Sequence, residues 1–407
     1  MSEEVKEEKT ETPLAEEEKT GAGESSEAKK PAGSGLHVIF GIGIAALLIL
    51  SGLLHLLLPD RAYSPSEKRM LAQFPAFSFS ALADGTFTRG VEDWFADQFP
   101  GRDAFMALRT RSAYFLGRRE SNGVYYGTDG HLIQRFDEPD EELRTHTAEA
   151  VRAFAARHAD SRITFLLAPT QAGMLAGSLP DGAPCADQNA YIDGFLSDMR
   201  GVVTAPDLRP VLQAAGREGT ELYYRSDHHW TTDAAYTVFR SVREKLDVPE
   251  IPWERSTVTG SFVGALSAKS GYRLPVGDEV AVYRSPQEPA YVVINQETGE
   301  NTASLYHTEA LAGDNAYEIF FGGNYPMLMI ETSADTERTL LVFKDSYANC
   351  FLPFLIPHYC RIVIIDPRYY TEAAELLFVT QDFTDILFLY NASTLSQDAS
   401  LAKVLGE

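Results

Sequence analysis

The fold class follows from residues 339–365, which read TLLVFKDSYANCFLPFLIPHYCRIVII. The run opens with an apolar strand, Thr339–Phe343, and turns at the KDS tripeptide of 344–346. A helical segment, Tyr347–Ile356, leads to a second apolar strand, Arg361–Ile365. Continuous apolar strands that alternate with helices are typical of a parallel sheet covered on both faces. This stretch therefore predicts an α/β domain.

The same alternation extends in both directions from this stretch. Short apolar strands are predicted at Arg162–Ala168 and Asp385–Tyr390, and helices at Gln188–Met199 and Asp233–Leu246. Between about 250 and 335 the helical period is lost and short strands predict a β-rich insertion. We expect an α/β domain with a parallel sheet and helices on both faces over residues 121–407.

The N-terminal region has a different composition. Residues 1–34 contain ten Glu and five Lys with almost no large apolar group, which predicts a disordered acidic tail. Val38–Leu58 then has 21 residues without formal charge, long enough to span a bilayer core of about 30 Å. We expect a transmembrane helix over 35–58. A stalk or helical lead-in over 59–120 should follow it.

A cleaved signal peptide is the alternative for the apolar run. The long acidic region before it and the absence of a small-x-small cleavage pattern favour the membrane span. Basic residues flank both ends, with Lys29 and Lys30 before the span and Arg61, Lys68 and Arg69 after it, so they leave the orientation nearly undecided. A cytoplasmic N-terminus and an extracytoplasmic body suit the chemistry described below. The expected location is therefore the cell membrane, with one crossing.

Charge and cysteine content exclude several classes of protein. The 407 residues include 35 basic and 58 acidic side chains, a formal charge of −23, which argues against nucleic acid as a partner. The three cysteines are too few for a disulfide scaffold and lack zinc-type spacing. Cys350 and Cys360 could pair, but buried thiols are the simpler expectation.

Polar side chains at the predicted strand ends suggest an acyl-transfer site. Asp227 and His229, two residues apart in an extended segment, should face one site, while His228 faces elsewhere. Ser346 lies on a tight strand-to-helix turn, where unpaired backbone N–H groups stabilise a developing oxyanion. Asn391 directly follows another strand and could donate its amide to the same oxyanion. Ser346 would attack a carbonyl, with His229 as the base and Asp227 holding the imidazole.

The motif around this dyad resembles a known family. Residues 226–231, SDHHWT, resemble the signature of the DHHW family and are similar to the Asp-x-His-Trp motif of the alginate O-acetylation proteins, a branch of the SGNH hydrolase-like superfamily. Asp345-Ser346 resembles the nucleophile block, in an order permuted relative to ordinary SGNH esterases. Lys344 stands where that block normally has Gly. The resemblance places Asn391, Arg368 and Tyr347 in the oxyanion and substrate-binding region.

The resemblance implies an SGNH-like, flavodoxin-like sheet and also a function. It predicts a membrane-anchored, extracytoplasmic O-acetyltransferase that modifies a cell-surface or exported polysaccharide through an acyl-serine, with no cofactor and no metal. Its partners would be a polysaccharide or oligosaccharide acceptor and a membrane acyl-donor protein. A carbohydrate acetylesterase and a non-catalytic glycan-binding or assembly factor remain alternatives. A glycoside hydrolase ranks last because no carboxylate pair stands out at the strand ends.

Simpler interpretations exist for each site residue. Asp227 and the two histidines could form a metal site or a loop network, although adjacent His side chains diverge. Ser346 could be a helix N-cap, and Asn391 a cap or turn residue. Asp366 and Arg368 could form a plain salt bridge.

Overall fold

The architecture is taken from a computed structural model that describes residues 34–406. The predicted acidic tail, 1–34, lies outside the described residues except for Ser34. The chain divides into two units, Met1–Pro59 and Asp60–Glu407. Each unit is described by itself.

The first unit contains one helix, α1. It runs over Ser34–Leu57, close to the predicted 35–58. Within it, His37–His55 is a 19-residue stretch of mean hydropathy 2.4, long and apolar enough to cross a membrane. No other helix in residues 34–406 meets that criterion.

The second unit is built around a seven-stranded sheet of mixed direction. Its order is β10-β9-β11-β13-β12-β14-β6, in which the last four strands are parallel. The other three strands pair antiparallel at one edge. The sheet is therefore mixed, whereas the sequence predicted a purely parallel one. Antiparallel neighbours need no crossover helix, which suits a segment without helical period. The strands of this sheet are β6 Arg162–Ala168, β9 Tyr291–Asn295, β10 Asn301–Thr302, β11 Met327–Thr332, β12 Thr339–Lys344, β13 Arg361–Ile365 and β14 Asp385–Asn391.

Both faces of the sheet are covered, which confirms the predicted α/β class. Along β12, Leu340 and Val342 enter one core cluster and Leu341 and Phe343 enter the other. This alternation follows from the two-residue period of a strand. The helices of the second unit are α2 Phe79–Ala83, α3 Thr86–Gln98, α4 Arg102–Phe115, α5 Glu141–Arg157, α6 Gln171–Met174, α7 Gln188–Met199, α8 Arg209–Arg217, α9 Thr232–Leu246, α10 Ala265–Ser270, α11 Ala392–Leu395 and α12 Ser400–Val404.

The segment between 250 and 335 serves two structural purposes. Its strands β9, β10 and β11 extend the central sheet. Its other two strands pair with each other as a separate antiparallel ribbon. The small strands outside the central sheet are β1 Tyr63–Ser64, β2 Arg69–Met70, β3 Glu120–Ser121, β4 Val124–Tyr126, β5 Leu132–Gln134, β7 Glu254–Phe262 and β8 Asp278–Arg284.

The predicted helix after Ser346 is a pair of 3-10 segments, Ser346–Cys350 and Leu352–His358. Pro353 and Pro357 interrupt the α-helical hydrogen bonding there, because proline has no backbone N–H. The turn therefore places Ser346 at the start of a tight, short segment at the carboxyl end of β12. The remaining 3-10 segments are Ala176–Ser178, Thr308–Ala312, Ala316–Ile319 and Ala374–Val379.

Candidate active site

The loop between α8 and α9 holds Asp227 in a fixed position. One carboxylate oxygen, Oδ1, accepts the backbone N–H of His229 at 3.0 Å and lies 2.6 Å from His229 Nδ1. The other, Oδ2, accepts the N–H of Ala265 at 2.7 Å, at the start of α10. Both oxygens are therefore engaged, and the carboxylate can hold the imidazole with Nδ1 protonated.

Gly264 makes this arrangement possible. A Cβ at this position would lie 2.2 Å from Asp227 Cβ and 2.6 Å from Asp227 Cα. Real Cβ atoms do not approach so closely, so only glycine lets the chain before α10 pass beside Asp227. The sequence carried no signal for this contact, because the two residues are 37 positions apart.

Ser346 completes a hydrogen-bonded chain with the two residues of the loop. Its Oγ lies 2.8 Å from His229 Nε2, across 117 positions of sequence. With Nδ1–H donated to Asp227, Nε2 is the acceptor and the serine hydroxyl is the donor. Asp227 and His229 are buried, whereas Ser346 is partly exposed. The chain of contacts therefore ends at a hydroxyl that a solute can reach.

Tyr317 is a site residue that the sequence reasoning missed. Its ring stacks on the His229 imidazole, with centroids 3.9 Å apart and an angle of 14° between the planes. Its hydroxyl donates to the carbonyl oxygen of Ser346 at 2.9 Å. The side chain thus contacts both members of the Ser–His pair. Only the packing of the 3-10 segment Ala316–Ile319 brings it there.

His228 lies beside His229, so the expectation that it faces elsewhere is wrong. The two imidazole centroids are 3.9 Å apart, and His228 Nδ1 is 3.4 Å from Asp227 Oδ1. The alternation of side chains holds for extended backbone, but this segment is a series of bends. Desolvation and the neighbouring His229 lower the pKa of His228 to about 4, so the ring is neutral at neutral pH.

The electrostatics keep Asp227 ionised. Burial acts to raise the pKa of this carboxyl, but the imidazoles of His228 and His229 outweigh it. The N–H of Ala265 adds to the same effect, and the pKa ends well below its ordinary value. Asp227 is therefore a carboxylate at neutral pH.

Asn391 holds Asp345, the residue that precedes Ser346. Its Nδ2 donates to Asp345 Oδ2 at 2.6 Å and to Thr394 Oγ1 at 2.8 Å, and its backbone N–H also donates to Asp345 Oδ2. Both amide hydrogens are thus engaged, and neither is left for an oxyanion. Its Oδ1 caps α11 by accepting the N–H of Thr394. The amide therefore fixes the residue before Ser346.

Tyr347 is a buried structural residue in this arrangement. Its hydroxyl donates to the carbonyl of His228, and its backbone N–H donates to Asp345 Oδ1 at 2.9 Å. These contacts tie the turn after β12 to the loop that holds Asp227. The side chain is fully buried, so it does not face a substrate.

Arg368 forms a salt bridge with Asp366, which is the simpler of the two interpretations of this residue. Its guanidinium reaches both oxygens of the fully buried Asp366, at 2.8 and 2.6 Å. Lys344, at the end of β12, also contacts Asp366, at 3.3 Å. Burial lowers the pKa of Lys344, against the effect of Asp366. This charge cluster lies at the carboxyl ends of β12 and β13.

A groove of about 810 Å³ lies beside the site. It is lined by α4, by the β1–β2 hairpin and by Phe262, Ser267 and Ala316. Ser267 donates its N–H to Ser226, next to Asp227, and Ala316 precedes Tyr317. The groove thus adjoins residues that neighbour the site in sequence, and it could hold part of a substrate.

The one group of potential metal ligands found in residues 34–406 is Asp227, His228 and His229. Their ligand atoms lie within 4.8 Å of one another. Both ring nitrogens of His229 are engaged, however, by Asp227 and Ser346. An ion would have to displace one of those contacts, so the arrangement fits proton transfer better than metal binding.

Family models match two overlapping parts of the chain. Residues 124–272 match the SGNH hydrolase-like domain of acetyltransferase AlgX, and residues 67–152 match the DHHW protein model. The first match includes the Asp227–Trp230 segment and ends before Ser346. A curated relative, the probable alginate O-acetylase AlgJ of Pseudomonas fluorescens, is 27% identical over 173 residues, which is 39% of this chain. The chain spans 43% of that relative's length, less than half.

Solved structures resemble the second unit in fold. A DHHW family protein from Eubacterium siraeum has a TM-score of 0.59 at 23% identity, over 70% of this chain and 95% of that one. PatB1 of Bacillus cereus, solved with a sulfonyl adduct, has a TM-score of 0.58 at 20% identity, over 68% of this chain and 97% of that one. At these identities the likeness establishes the fold alone.

Proposed function

Because the chain carries an SGNH hydrolase-like domain related to the AlgX and DHHW families, we propose that it is an O-acetyltransferase acting on a polysaccharide. The observation that carries the proposal is the hydrogen-bonded chain from Asp227 through His229 to Ser346, at 2.6 and 2.8 Å. The similarity to a probable alginate O-acetylase supports the choice of acetyl transfer to a sugar polymer.

The proposed reaction has two halves. Ser346 Oγ attacks the acetyl carbonyl of a donor while His229 Nε2 takes the hydroxyl proton. The tetrahedral adduct then collapses, the donor's leaving group takes that proton, and acetyl-Ser346 remains. In the second half a sugar hydroxyl gives its proton to Nε2 and attacks the ester, and Ser346 recovers the proton as it leaves. Asp227 stabilises the imidazolium in both halves.

The backbone offers an oxyanion donor in place of the Asn391 amide. The N–H of Ser346 meets no hydrogen-bond acceptor among the described residues. It lies next to the atom that attacks, as the geometry of an oxyanion hole requires. The N–H of Tyr347 is already donated to Asp345, so it is not a second donor.

We further propose that α1 anchors the protein in the cell membrane with one crossing and the second unit outside the cytoplasm. The 19-residue apolar stretch supports the crossing. An extracytoplasmic polysaccharide needs an acetyl donor that reaches the same side, so the donor would come from an acyl-carrying membrane partner. Protease added to intact spheroplasts should digest the second unit. Digestion only after lysis would contradict this orientation.

The test of the reaction uses the full chain in detergent micelles with p-nitrophenyl acetate. Wild type should release nitrophenol and carry an acetyl group on Ser346 by mass spectrometry, and Ser346→Ala and His229→Gln should fall to background. Ser197→Ala and His146→Ala, in exposed helical positions, are the matched controls. A wild-type protein that never acylates Ser346 would refute the mechanism.

An acceptor assay distinguishes transfer from hydrolysis. Acetyl-Ser346 that passes its acetyl group to added oligosaccharide supports the transferase. Acetyl-Ser346 that yields only free acetate, with every acceptor tried, supports the acetylesterase instead. Ser346 is partly exposed, so both a sugar hydroxyl and water can reach its acetyl ester. The product that forms therefore distinguishes the transferase from the esterase.

A further inference from the structure

The lead-in carries an apolar face that the described residues of the second unit leave uncovered. Phe105, Leu108 and Phe115 recur along α4 at spacings that place them on one side of the helix, and Leu116 follows directly. These four side chains are 55, 60, 89 and 83% exposed, respectively. We call these four residues the α4 face.

The other side of α4 is turned toward the body of the protein. Asp103, Met106 and Thr110 line the groove beside the site. The three large apolar side chains of α4 that point away from the groove, Phe105, Leu108 and Phe115, are therefore exposed, whereas Met106 lies on the groove side. Such a face is normally covered when a protein works.

Charge supports a lipid occupant. The lead-in, residues 59–120, contains nine basic and eight acidic side chains, a net +1, in a chain whose formal charge is −23. Arg111 is exposed on α4 beside the apolar side chains, and Arg109 is exposed while it also lines the groove. Aromatic and leucine side chains flanked by arginine are the composition of helices that lie in a membrane interface. A basic, apolar segment in an acidic protein is attracted to anionic headgroups.

The position of the lead-in in the chain supports the same occupant. The apolar helix α1 ends at Leu57, and the second unit begins at Asp60. Three residues, 58–60, reach at most about 10 Å when fully extended. If α1 spans a bilayer, the lead-in starts at its surface.

We propose that the α4 face lies in the headgroup region of the bilayer that holds α1. This inference rests on the proposed membrane anchorage. The occupant is the lipid surface, and a second copy of the chain or another protein is excluded by the proposal. Because α4 separates the face from the groove, docking would hold the groove about one helix diameter, 10–12 Å, above the lipid. An acyl donor carried by a membrane protein would then arrive beside the site.

Quenching by brominated lipid tests the contact. The full chain is reconstituted in vesicles of phosphatidylethanolamine and phosphatidylglycerol, with or without bromine on the acyl chains. Phe115→Trp should lose most of its added emission in brominated vesicles. Val379→Trp is the matched control, since Val379 is 78% exposed, comparable to the 89% of Phe115, but lies on the segment Ala374–Val379, outside the lead-in. Its emission should not change.

The outcomes separate docking from anchorage. Wild-type protein that fails to float with the vesicles would refute the anchorage by α1, and the docking with it. Phe115→Trp protein that floats while its introduced indole stays unquenched would refute the docking alone. An introduced indole that is shielded from aqueous iodide yet unquenched by lipid would assign the face to a protein partner and overturn the proposal. Acetylation of Ser346, measured on the same samples, reports the reaction independently.

Discussion

Gly264→Ala is the substitution that tests the site most sharply. Gly264 has φ −83° and ψ 179°, an extended conformation that alanine adopts freely, so the change introduces no backbone strain. Its only consequence is steric. The new Cβ would lie 2.2 Å from Asp227 Cβ and 2.6 Å from Asp227 Oδ2.

The magnitude follows from the overlap. An ordinary contact begins at 3.4 Å, so Asp227 and position 264 must separate by about 1.2 Å. A displacement of about 1 Å in a catalytic group costs about 100-fold in rate. That loss corresponds to roughly 2.7 kcal/mol of transition-state stabilisation. The overpacked contact should also lower the free energy of unfolding by about 1–3 kcal/mol.

The assay compares kcat/KM for nitrophenyl acetate with unfolding in urea. Gly260→Ala is the matched control, because Gly260 lies on the same approach to α10 and an added Cβ there meets nothing within 4 Å. Control protein should match wild type in both measurements. A folded Gly264→Ala protein with wild-type kcat/KM would show that the position of Asp227 does not matter. If Gly264→Ala does not fold, Asp227→Asn tests the same link with the shape preserved, and wild-type activity there has the same meaning.

Three further predictions concern residues around the Ser–His pair. Tyr317→Phe keeps the ring on His229 and should lower kcat less than tenfold, about the effect of one hydrogen bond, whereas Tyr317→Leu removes the stacking surface and should lower kcat further. Equal kcat for the two variants would contradict a positioning role for Tyr317. Asn391→Ala leaves Asp345 Oδ2 with one donor in a buried site and should lower the free energy of unfolding in urea by about 1–3 kcal/mol. An unchanged unfolding midpoint would show that the Asn391 amide does not stabilise Asp345. Folding lowers the pKa of Asp227, so the carboxylate's contribution to stability is complete above the unfolded pKa of about 3.9 and is lost as the pH falls. The difference in unfolding free energy between wild type and Asp227→Asn should therefore narrow below about pH 4. A difference that stays constant with pH would refute this linkage.

Much of the fold was readable from local pattern. Apolar runs such as Thr339–Phe343 and Asp385–Tyr390 are strands in the structure because a buried strand must be apolar on both sides. The helix after Ser346 was wrong in type, since Pro353 and Pro357 convert it to 3-10 segments. The antiparallel edge of the sheet was also not foreseen, because strand direction depends on pairing partners that are distant in sequence.

The site was readable only in part. Ser346 stood out because it follows a predicted strand, and Asp227 and His229 stood out because they lie in a segment that resembles a family motif. The contribution of Tyr317 was hidden, since a tyrosine in a segment without period carries no signal of what it stacks on. Asn391 was noticed, but the amide hydrogens it would donate are engaged by Asp345 and Thr394.

Sequence alone thus determined the class of the protein, namely an apolar N-terminal helix, an α/β body and the candidate residues of an acyl-transfer site. These features depend on hydrophobic periods and motifs of a few residues, which are properties of the local sequence. The tertiary structure decided that His229 Nε2 and Ser346 Oγ lie 2.8 Å apart, and that Gly264 leaves room for Asp227. It also decided that α4 turns its apolar side outward. Such contacts join residues that are far apart along the chain, and only the packing of whole elements sets those distances.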